Sequence, residues 1–142
     1  MGRLLGLDIG EKTIGLAVSD EGRVLASPLR TLARRGGKHD LRAVAEARDE
    51  TGAEALVLGL PLGLDGLEGL SARRARRLGQ ALREHLGCPV HYQDERFTTV
   101  EAERVLREAE LSRGARKAVV DQVAAVLILQ GFLDSASREG SV

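Results

Sequence analysis

The chain has 142 residues and a mass of 15.2 kDa, enough for one domain that buries about two thirds of the surface its unfolded chain would expose. Its 21 basic residues balance 21 acidic ones, which excludes a uniformly basic nucleic-acid coat. The longest apolar run, Val123–Leu129, is far shorter than the ~20 residues of a membrane span, and the single cysteine, Cys88, excludes an internal disulfide. The start of the chain has no signal-peptide pattern, so we expect a cytoplasmic protein that does not bind membranes.

Three strands are predicted at the start of the chain. They are Arg3–Ile9, which is mostly apolar, Thr13–Ser19 and Arg23–Leu32. Pro28 cannot donate a hydrogen bond to a sheet, so the third strand should be an edge strand or contain a bulge. Together the three segments predict an antiparallel meander.

Helices and strands alternate in the rest of the chain. A flexible basic loop, Ala33–Lys38, precedes a helix at Asp40–Glu50, and Ala55–Leu60 is a strand buried on both faces because it has no polar side chain. The later predicted elements are a loop at Pro61–Gly69, a helix at Ala72–His85 with Ser71 as N-cap, a strand at Pro89–Gln93, a helix from Thr98 to about Glu110, and a final helix from Ala115 to about Ser135. Strands that alternate with helices in this way are parallel and joined by crossovers.

A three-stranded meander followed by βα units is the layout of the ribonuclease H-like fold. We therefore expect an α/β protein with a five-stranded mixed sheet flanked by helices. Residues 1–136 would form this single domain, and residues 137–142 would form a flexible polar tail. The sequence does not indicate an oligomeric state.

Acidic residues stand at three separated positions of this layout. Asp8 lies near the end of the first strand, the pair Asp94 and Glu95 follows the last strand, and Asp121 interrupts an apolar stretch of the final helix. The carboxyl ends of parallel strands meet at one edge of a sheet, where ligands bind. Carboxylates are the ligands that Mg²⁺ and Mn²⁺ prefer, and such ions activate water against a phosphodiester. The pattern predicts metal-dependent phosphodiester hydrolysis.

Each acidic position also has a structural alternative. Many strands end in Asp, so Asp8 could have a purely structural role. The adjacent pair could stabilise the N-terminus of the following helix, and Asp121 could pair with Lys117 on an exposed helix face. Strand alternation should place Asp94 on the face of Val90 and Tyr92, and Glu95 on the face of His91 and Gln93. Glu95 also has the longer reach, so it is the preferred ligand of the pair.

Basic residues form two groups that could bind phosphate. The predicted helix Ala72–His85 carries five arginines over about half of its circumference: Arg73, Arg74, Arg76, Arg77 and Arg83. The predicted basic loop contributes Arg34, Arg35 and Lys38 beside two glycines that would let it wrap a nucleic-acid strand. Such groups neutralise backbone phosphates without reading sequence, although a solvated face of a neutral protein has the same composition.

Four motifs occur in an order that identifies a family. They are Gly6–Gly10 with Gly15–Asp20, Val57–Leu62 with Asp65-Gly66, Asp94–Thr99, and Asp121 with Ala124-Ala125 and Leu127–Gln130. From Arg3 to about Leu133 the chain resembles the YqgF/RuvX family of Holliday junction resolvase-like nucleases. The resemblance implies a ribonuclease H-like fold and a role in maturing the 5′ end of the 16S ribosomal RNA precursor. It also implies that Asp8, the Asp94-Glu95 pair and Asp121 are metal ligands, and Lys12 matches the family's basic residue after the first turn.

The resulting prediction is a nuclease that needs Mg²⁺ or Mn²⁺ and acts on structured RNA. Asp8, Glu95 and Asp121 are the predicted catalytic residues. The predicted phosphate contacts beyond the two basic groups are Lys12, Arg96 and Lys117.

The sequence also allows three functions other than an RNA nuclease. The first is a Holliday junction resolvase acting on branched DNA, since carboxylate chemistry is indifferent to the sugar. The second is a non-catalytic nucleic-acid-binding module, which would gain nothing from buried acids facing a polyanion. The third is an actin-like phosphotransferase, which needs two such domains where this chain has one.

Overall fold

The computed structural model describes residues 2–61, 67–94 and 113–140, and in its last helix the side chains of residues 122–136. One five-stranded sheet has the order β3-β2-β1-β4-β5. Its strands are β1 (Leu4–Ile9), β2 (Thr13–Ser19), β3 (Ala26–Ala33), β4 (Ala55–Leu60) and β5 (Val90–Asp94). The first three strands pair antiparallel, whereas β1, β4 and β5 are parallel, which confirms the predicted mixed sheet.

Helices cover both faces of this sheet. They are α1 (Gly37–Thr51), α2 (Leu70–Leu86) and α3 (Arg113–Gly140). One core packs beneath α1 and α2 and contains Leu7, Leu58 and Leu82, while a second packs beneath α3 and contains Val57 and Leu129. Within the described ranges, no helix is both long and apolar enough to cross a membrane.

The predicted edge strand with a proline is confirmed. β3 lies at the edge of the sheet, and the pairing with β2 shifts between Leu16, opposite Arg30, and Ala17, opposite Pro28. The strand begins at Ala26, three residues later than predicted. The reason is that the Asp20 carboxylate accepts hydrogen bonds from the backbone N–H groups of Val24 and Leu25, which closes a turn there.

Two predicted helix starts are wrong. α1 begins at Gly37, so Lys38 belongs to the helix, and the predicted loop shortens because β3 runs to Ala33. α2 begins at Leu70 with Gly69 as N-cap and no side-chain cap, so Ser71 is not the N-cap. α2 ends at Leu86, one residue after its predicted end at His85, because Gly87 adopts the left-handed conformation (φ 67°) that ends the helix.

The last helix is longer than its sequence pattern predicts. α3 runs from Arg113 to Gly140 and therefore includes the start of the predicted tail. The helix predicted from Thr98 to Glu110 lies outside the described residues. Where α3 crosses the sheet, its buried residues include the small side chains of Ala124 and Ala125 beside the larger Ile128 and Leu129. This packing brings the helix backbone close to β1.

Candidate active site

Asp8 is a half-buried carboxylate at the carboxyl end of the central strand β1. Its neighbours Leu7 and Ile9 point into the core under α1 and α2. Because side chains alternate along a strand, Asp8 shares the opposite face with Gly6, which is the face that α3 covers. The predicted position of Asp8 at a strand end is therefore confirmed, and the structure adds that α3 is the helix above it.

Gly6 allows α3 to pack against β1. A Cβ atom at this position would lie 2.8 Å from Leu129 Cβ and 3.1 Å from the carbonyl oxygen of Ala125. Any side chain larger than hydrogen would therefore move the helix away from the strand. The glycine of the first motif thus fixes the height of α3 above Asp8.

A hydrogen bond from α3 reaches the same level of the sheet as Asp8. Asp8 pairs with Gly15, and Gly15 pairs with Thr31, so the three residues form one row across β1, β2 and β3. Gln122 Nε2 in α3 donates to Thr31 Oγ1 at 3.2 Å. Further along the helix, Gln130 Oε1 accepts a hydrogen bond of 2.9 Å from Ala26 N near the other end of β3. As α3 advances from Gln122 to Gln130 it moves from Thr31 back to Ala26, so it runs antiparallel to β3. Because β3 is parallel to β1, α3 is antiparallel to β1 as well.

Asp121 directly precedes Gln122 in α3, one turn before Ala125. The close approach of α3 to Gly6 and the side-chain hydrogen bond from Gln122 to Thr31 therefore place this helix position over the carboxyl end of β1. The Asp121 side chain, like that of Lys117, is outside the described set. The structure brings two of the predicted acidic positions, Asp8 and Asp121, to the same region.

The faces of β5 follow the predicted alternation. Val90 and Tyr92 pack against the core beneath α1 and α2. On the other face, the His91 ring lies 5.0 Å from that of Phe132 in α3, measured between centroids. Asp94 is exposed and pairs with Leu60, so it shares the face of Tyr92 and points away from the face of Asp8.

The rest of the predicted metal site is not described. Glu95 and Arg96 lie outside the described residues. Among residues whose side chains are described, no three His, Cys, Asp or Glu groups are placed to hold a metal ion. Of the four predicted ligands, only Asp8 and Asp94 belong to that set.

The arginines of α2 form an outward face, as predicted. Arg73, Arg77 and Arg83 are exposed and Arg74 is half-buried, while Leu78 and Leu82 are buried on the opposite side. Lys12, Arg35 and Lys38 are also exposed. Arg76 is engaged within the protein, because it pairs with Glu68 and its guanidinium lies 4.9 Å from the centre of the Tyr92 ring.

Arg34 is fixed by the fold, which the sequence did not predict. Its Nε donates to the buried carboxylate of Asp40 at 3.2 Å, and its Nη1 donates to the carbonyl oxygen of Gly10 at 2.9 Å. The same carboxylate accepts a 3.0 Å hydrogen bond from Arg35 N. The segment predicted to be a flexible basic loop is therefore held in place by these hydrogen bonds, and through Gly10 it supports the turn after Asp8. A buried Asp on the apolar face of a helix is the sequence signal that could have revealed it.

A five-stranded mixed sheet with a carboxylate at the end of its central strand and a helix packed across it defines a ribonuclease H-like protein. Solved structures with this fold cover almost all of the chain. A Thermus thermophilus RuvC in complex with a Holliday junction substrate has a TM-score of 0.59 at 16% identity and covers 95% of this chain and 96% of its own. The fowlpox virus resolvase, in complex with Holliday junction DNA, has a TM-score of 0.58 at 12% identity over 94% and 98% of the two chains.

The sequence relatives define the family. The profile of the RuvX family, described as Holliday junction resolvase, matches residues 2–135. A protein of Moorella thermoacetica named "Putative pre-16S rRNA nuclease" is 48% identical over 138 residues, 97% of this chain and 99% of that protein. A protein of the same name from Myxococcus xanthus is 47% identical over 94% of this chain and 88% of its own. The chain belongs to the RuvX family, a family of nucleases.

Proposed function

We propose that this protein is a divalent-metal-dependent nuclease that processes the 5′ end of precursor 16S ribosomal RNA. The observation that carries the proposal is the placement of Asp8 beneath the segment of α3 that contains Asp121, in a chain that matches a relative of that name over 97% of its length. A substrate of this kind would place the protein in the bacterial cytoplasm.

The carboxylates proposed at the carboxyl end of β1 suit Mg²⁺ or Mn²⁺ as ligands. Asp8 is a carboxylate that β1 holds half-buried, and Asp121 and Glu95 would add two more carboxylates from α3 and from the end of β5. Glu95 is preferred to Asp94 because Asp94 shares the face of Leu60, away from Asp8. Three carboxylates gathered at this end of the sheet would repel each other unless a cation lay between them. When bound, such a cation supplies an activated water and stabilises charge on the phosphate.

The chain's own residues would bind and orient the nucleic acid. Three exposed cations would hold backbone phosphates of the nucleic acid: Arg73 and Arg77 on α2, and Lys12 in the β1–β2 turn that follows Asp8. Arg34 would act indirectly by holding the carbonyl of Gly10, two residues after Asp8. Arg96 and Lys117 complete the proposed phosphate contacts.

Branched DNA is the second candidate substrate, because the matching family is described as Holliday junction resolvase. The likeness to junction-bound resolvases supports the fold alone at 12–16% identity. Incubation of the protein with labelled precursor 16S RNA, single-stranded RNA and a four-way DNA junction, with and without Mn²⁺, separates the candidates. We expect Mn²⁺-dependent cleavage near the 5′ end of the mature RNA. Cleavage of the DNA junction alone would assign branched DNA as the substrate. Binding of a nucleic acid by the protein without cleavage of any of them would indicate a binding module.

A further inference from the structure

A groove between α1 and α2 lies behind the edge that carries Asp8. Its volume is about 600 Å³. Leu41 of α1 and Leu78 and Ala81 of α2 provide an apolar floor, and Glu11 lines the end nearest the β1–β2 turn. Glu11 follows Asp8 by three residues, so the groove opens toward the same end of β1 as the proposed site. The floor lies on the other side of the sheet from α3, because Leu78 belongs to the core beneath α1 and α2.

Two arginines on the wall of this groove have no counter-charge among the described residues. Arg74 and Arg77 are one helical turn apart, and neither is in an ion pair or hydrogen bond there. Their neighbours differ, since Arg76 pairs with Glu68 and Arg34 pairs with Asp40. Arg74 and Arg77 also line an adjoining recess of about 250 Å³ together with Leu70 and Arg73. An anion in the groove would therefore meet two uncompensated guanidinium groups.

The start of α1 contributes donors to the same space. Gly36 and Gly37 line the groove, and α1 has no side-chain cap. A Cβ atom at either glycine would have no neighbour within 4 Å, so the backbone there faces open space. The first N–H groups of a helix lack intrahelical partners and favour anions. The N–H groups at the start of α1 would therefore add to the attraction of an anion by Arg74 and Arg77.

We propose that this groove binds one nucleotide, with its phosphate at Arg74, Arg77 and the start of α1 and its base over Leu41, Leu78 and Ala81. The volume lies within the range of about 300–1,000 Å³ usual for small-ligand sites, which a bare phosphate would leave mostly empty. Glu11 offers an acceptor to a base amino group or a ribose hydroxyl. The nucleotide comes either from the substrate strand beyond the cleaved bond or from free mononucleotide. Only the first source rests on the proposed function.

The test is performed without metal, so that cleavage plays no part. Uridine 5′-monophosphate and inorganic phosphate are titrated separately into the protein in EDTA while the amide NMR signals of Leu41, Leu78 and Ala81 are followed. We expect the mononucleotide to shift these signals and to bind about tenfold more weakly to the Arg74→Glu/Arg77→Glu variant. Arg83→Glu is the matched control, because Arg83 is an exposed arginine of the same helix outside the groove, and it should bind within about twofold of the unchanged protein.

The second arm identifies the source of the nucleotide. Precursor RNA with 4-thiouridine at successive positions is irradiated with the protein in EDTA, and the cross-linked peptides are sequenced. Cross-links to α1 or α2 at the groove assign the substrate strand, whereas mononucleotide binding without such cross-links assigns a free nucleotide; both support the site.

Two results would overturn the nucleotide site. One is unchanged groove signals with the mononucleotide, and the other is equal binding of inorganic phosphate, which would leave the base without a role. A parallel cleavage assay in Mn²⁺ shows separately whether the proposed nuclease function holds, since the titration of the unchanged protein requires neither metal nor turnover.

Discussion

Gln122 and Thr31 join α3 to the edge strand at the level of Asp8. The 3.2 Å hydrogen bond from Gln122 Nε2 to Thr31 Oγ1 lies in the row that continues through Gly15 to Asp8. Asp121 is the residue before Gln122. This single polar contact therefore ties the helix position of one proposed ligand to the strand position of another.

Gln122→Ala is expected to reduce cleavage more than its loss of stability explains. A neutral hydrogen bond contributes about 1 kcal/mol to folding, but a small movement of α3 would change the separation of the proposed ligands. Gln130→Ala is the matched control, because Gln130 bonds Ala26 N and the Val24 carbonyl far from Asp8. Thermal melts and cleavage rates are measured for both variants. Equal loss of activity in the two variants would show that Gln122 has only a structural role.

Gly6→Ala is expected to destabilise the protein by about 1–3 kcal/mol, as overpacking of a close contact does. The added methyl group would lie 2.8 Å from Leu129 Cβ and would push α3 off β1. Gly37→Ala is the control, since a Cβ atom there has no neighbour within 4 Å and the position lies in the first turn of α1. Urea unfolding measures both free energies. A Gly6 variant as stable as the control would show that α3 does not pack this closely.

The Asp20 turn predicts a specific dependence of stability on acid. Hydrogen bonds from the backbone N–H groups of Leu25 and Val24 lower the pKa of Asp20 below its ordinary value of 3.8. The folded state therefore favours the ionised carboxylate, and this contribution to stability is present above pH 3.8 and lost as the pH falls through the lowered pKa. We expect Asp20→Asn to melt below the unchanged protein at neutral pH, with the difference shrinking below pH 3.8. Glu21→Gln, at the exposed neighbouring position, should show no such convergence.

The alternation of strands with helices and the apolar composition of the strands were enough to predict the sheet. The strand β4 has no polar side chain, and β1 and β2 match their predicted segments closely. The helix starts were predicted less well. At Gly69 and Gly36 the chain begins a helix without a side-chain cap, so the usual sequence signal at Ser71 was misleading. The same limit applies to Arg34, whose charge indicated phosphate binding although a partner six residues away, Asp40, neutralises it.

The place of Asp8 near the end of the first predicted strand made it a candidate site residue. The sequence did not predict the contacts that hold α3 above Asp8. The Gln122–Thr31 contact joins residues 91 positions apart, and no local pattern marks either residue. The faces of β5 were predictable, because strand alternation depends only on the order of residues. Tertiary contacts of this kind decide which predicted acids can meet.

The assignment of Glu95 rather than Asp94 can be tested by replacing each acid with its amide. Asp94 shares the face of Leu60 and Tyr92, so Asp94→Asn should retain most of the Mn²⁺-dependent cleavage. Glu95→Gln should lose at least about a hundredfold, as expected when a group that holds a catalytic ion is removed. Cleavage rates are compared at saturating Mn²⁺. Loss in the Asp94 variant alone, with Glu95→Gln still active, would reverse the assignment.

The most direct test of the account is the Mn²⁺ dependence of precursor 16S RNA cleavage by Asp8→Asn beside the unchanged protein. Asn is isosteric with Asp and removes the charge from the end of β1, so the melting temperature without metal should be the same or higher, since repulsion among the proposed ligands is relieved. We predict cleavage that rises with Mn²⁺ in the unchanged protein and none in the variant at any Mn²⁺ concentration. Equal cleavage by the two folded proteins would show that Asp8 does not hold the ion and would contradict the proposed active site.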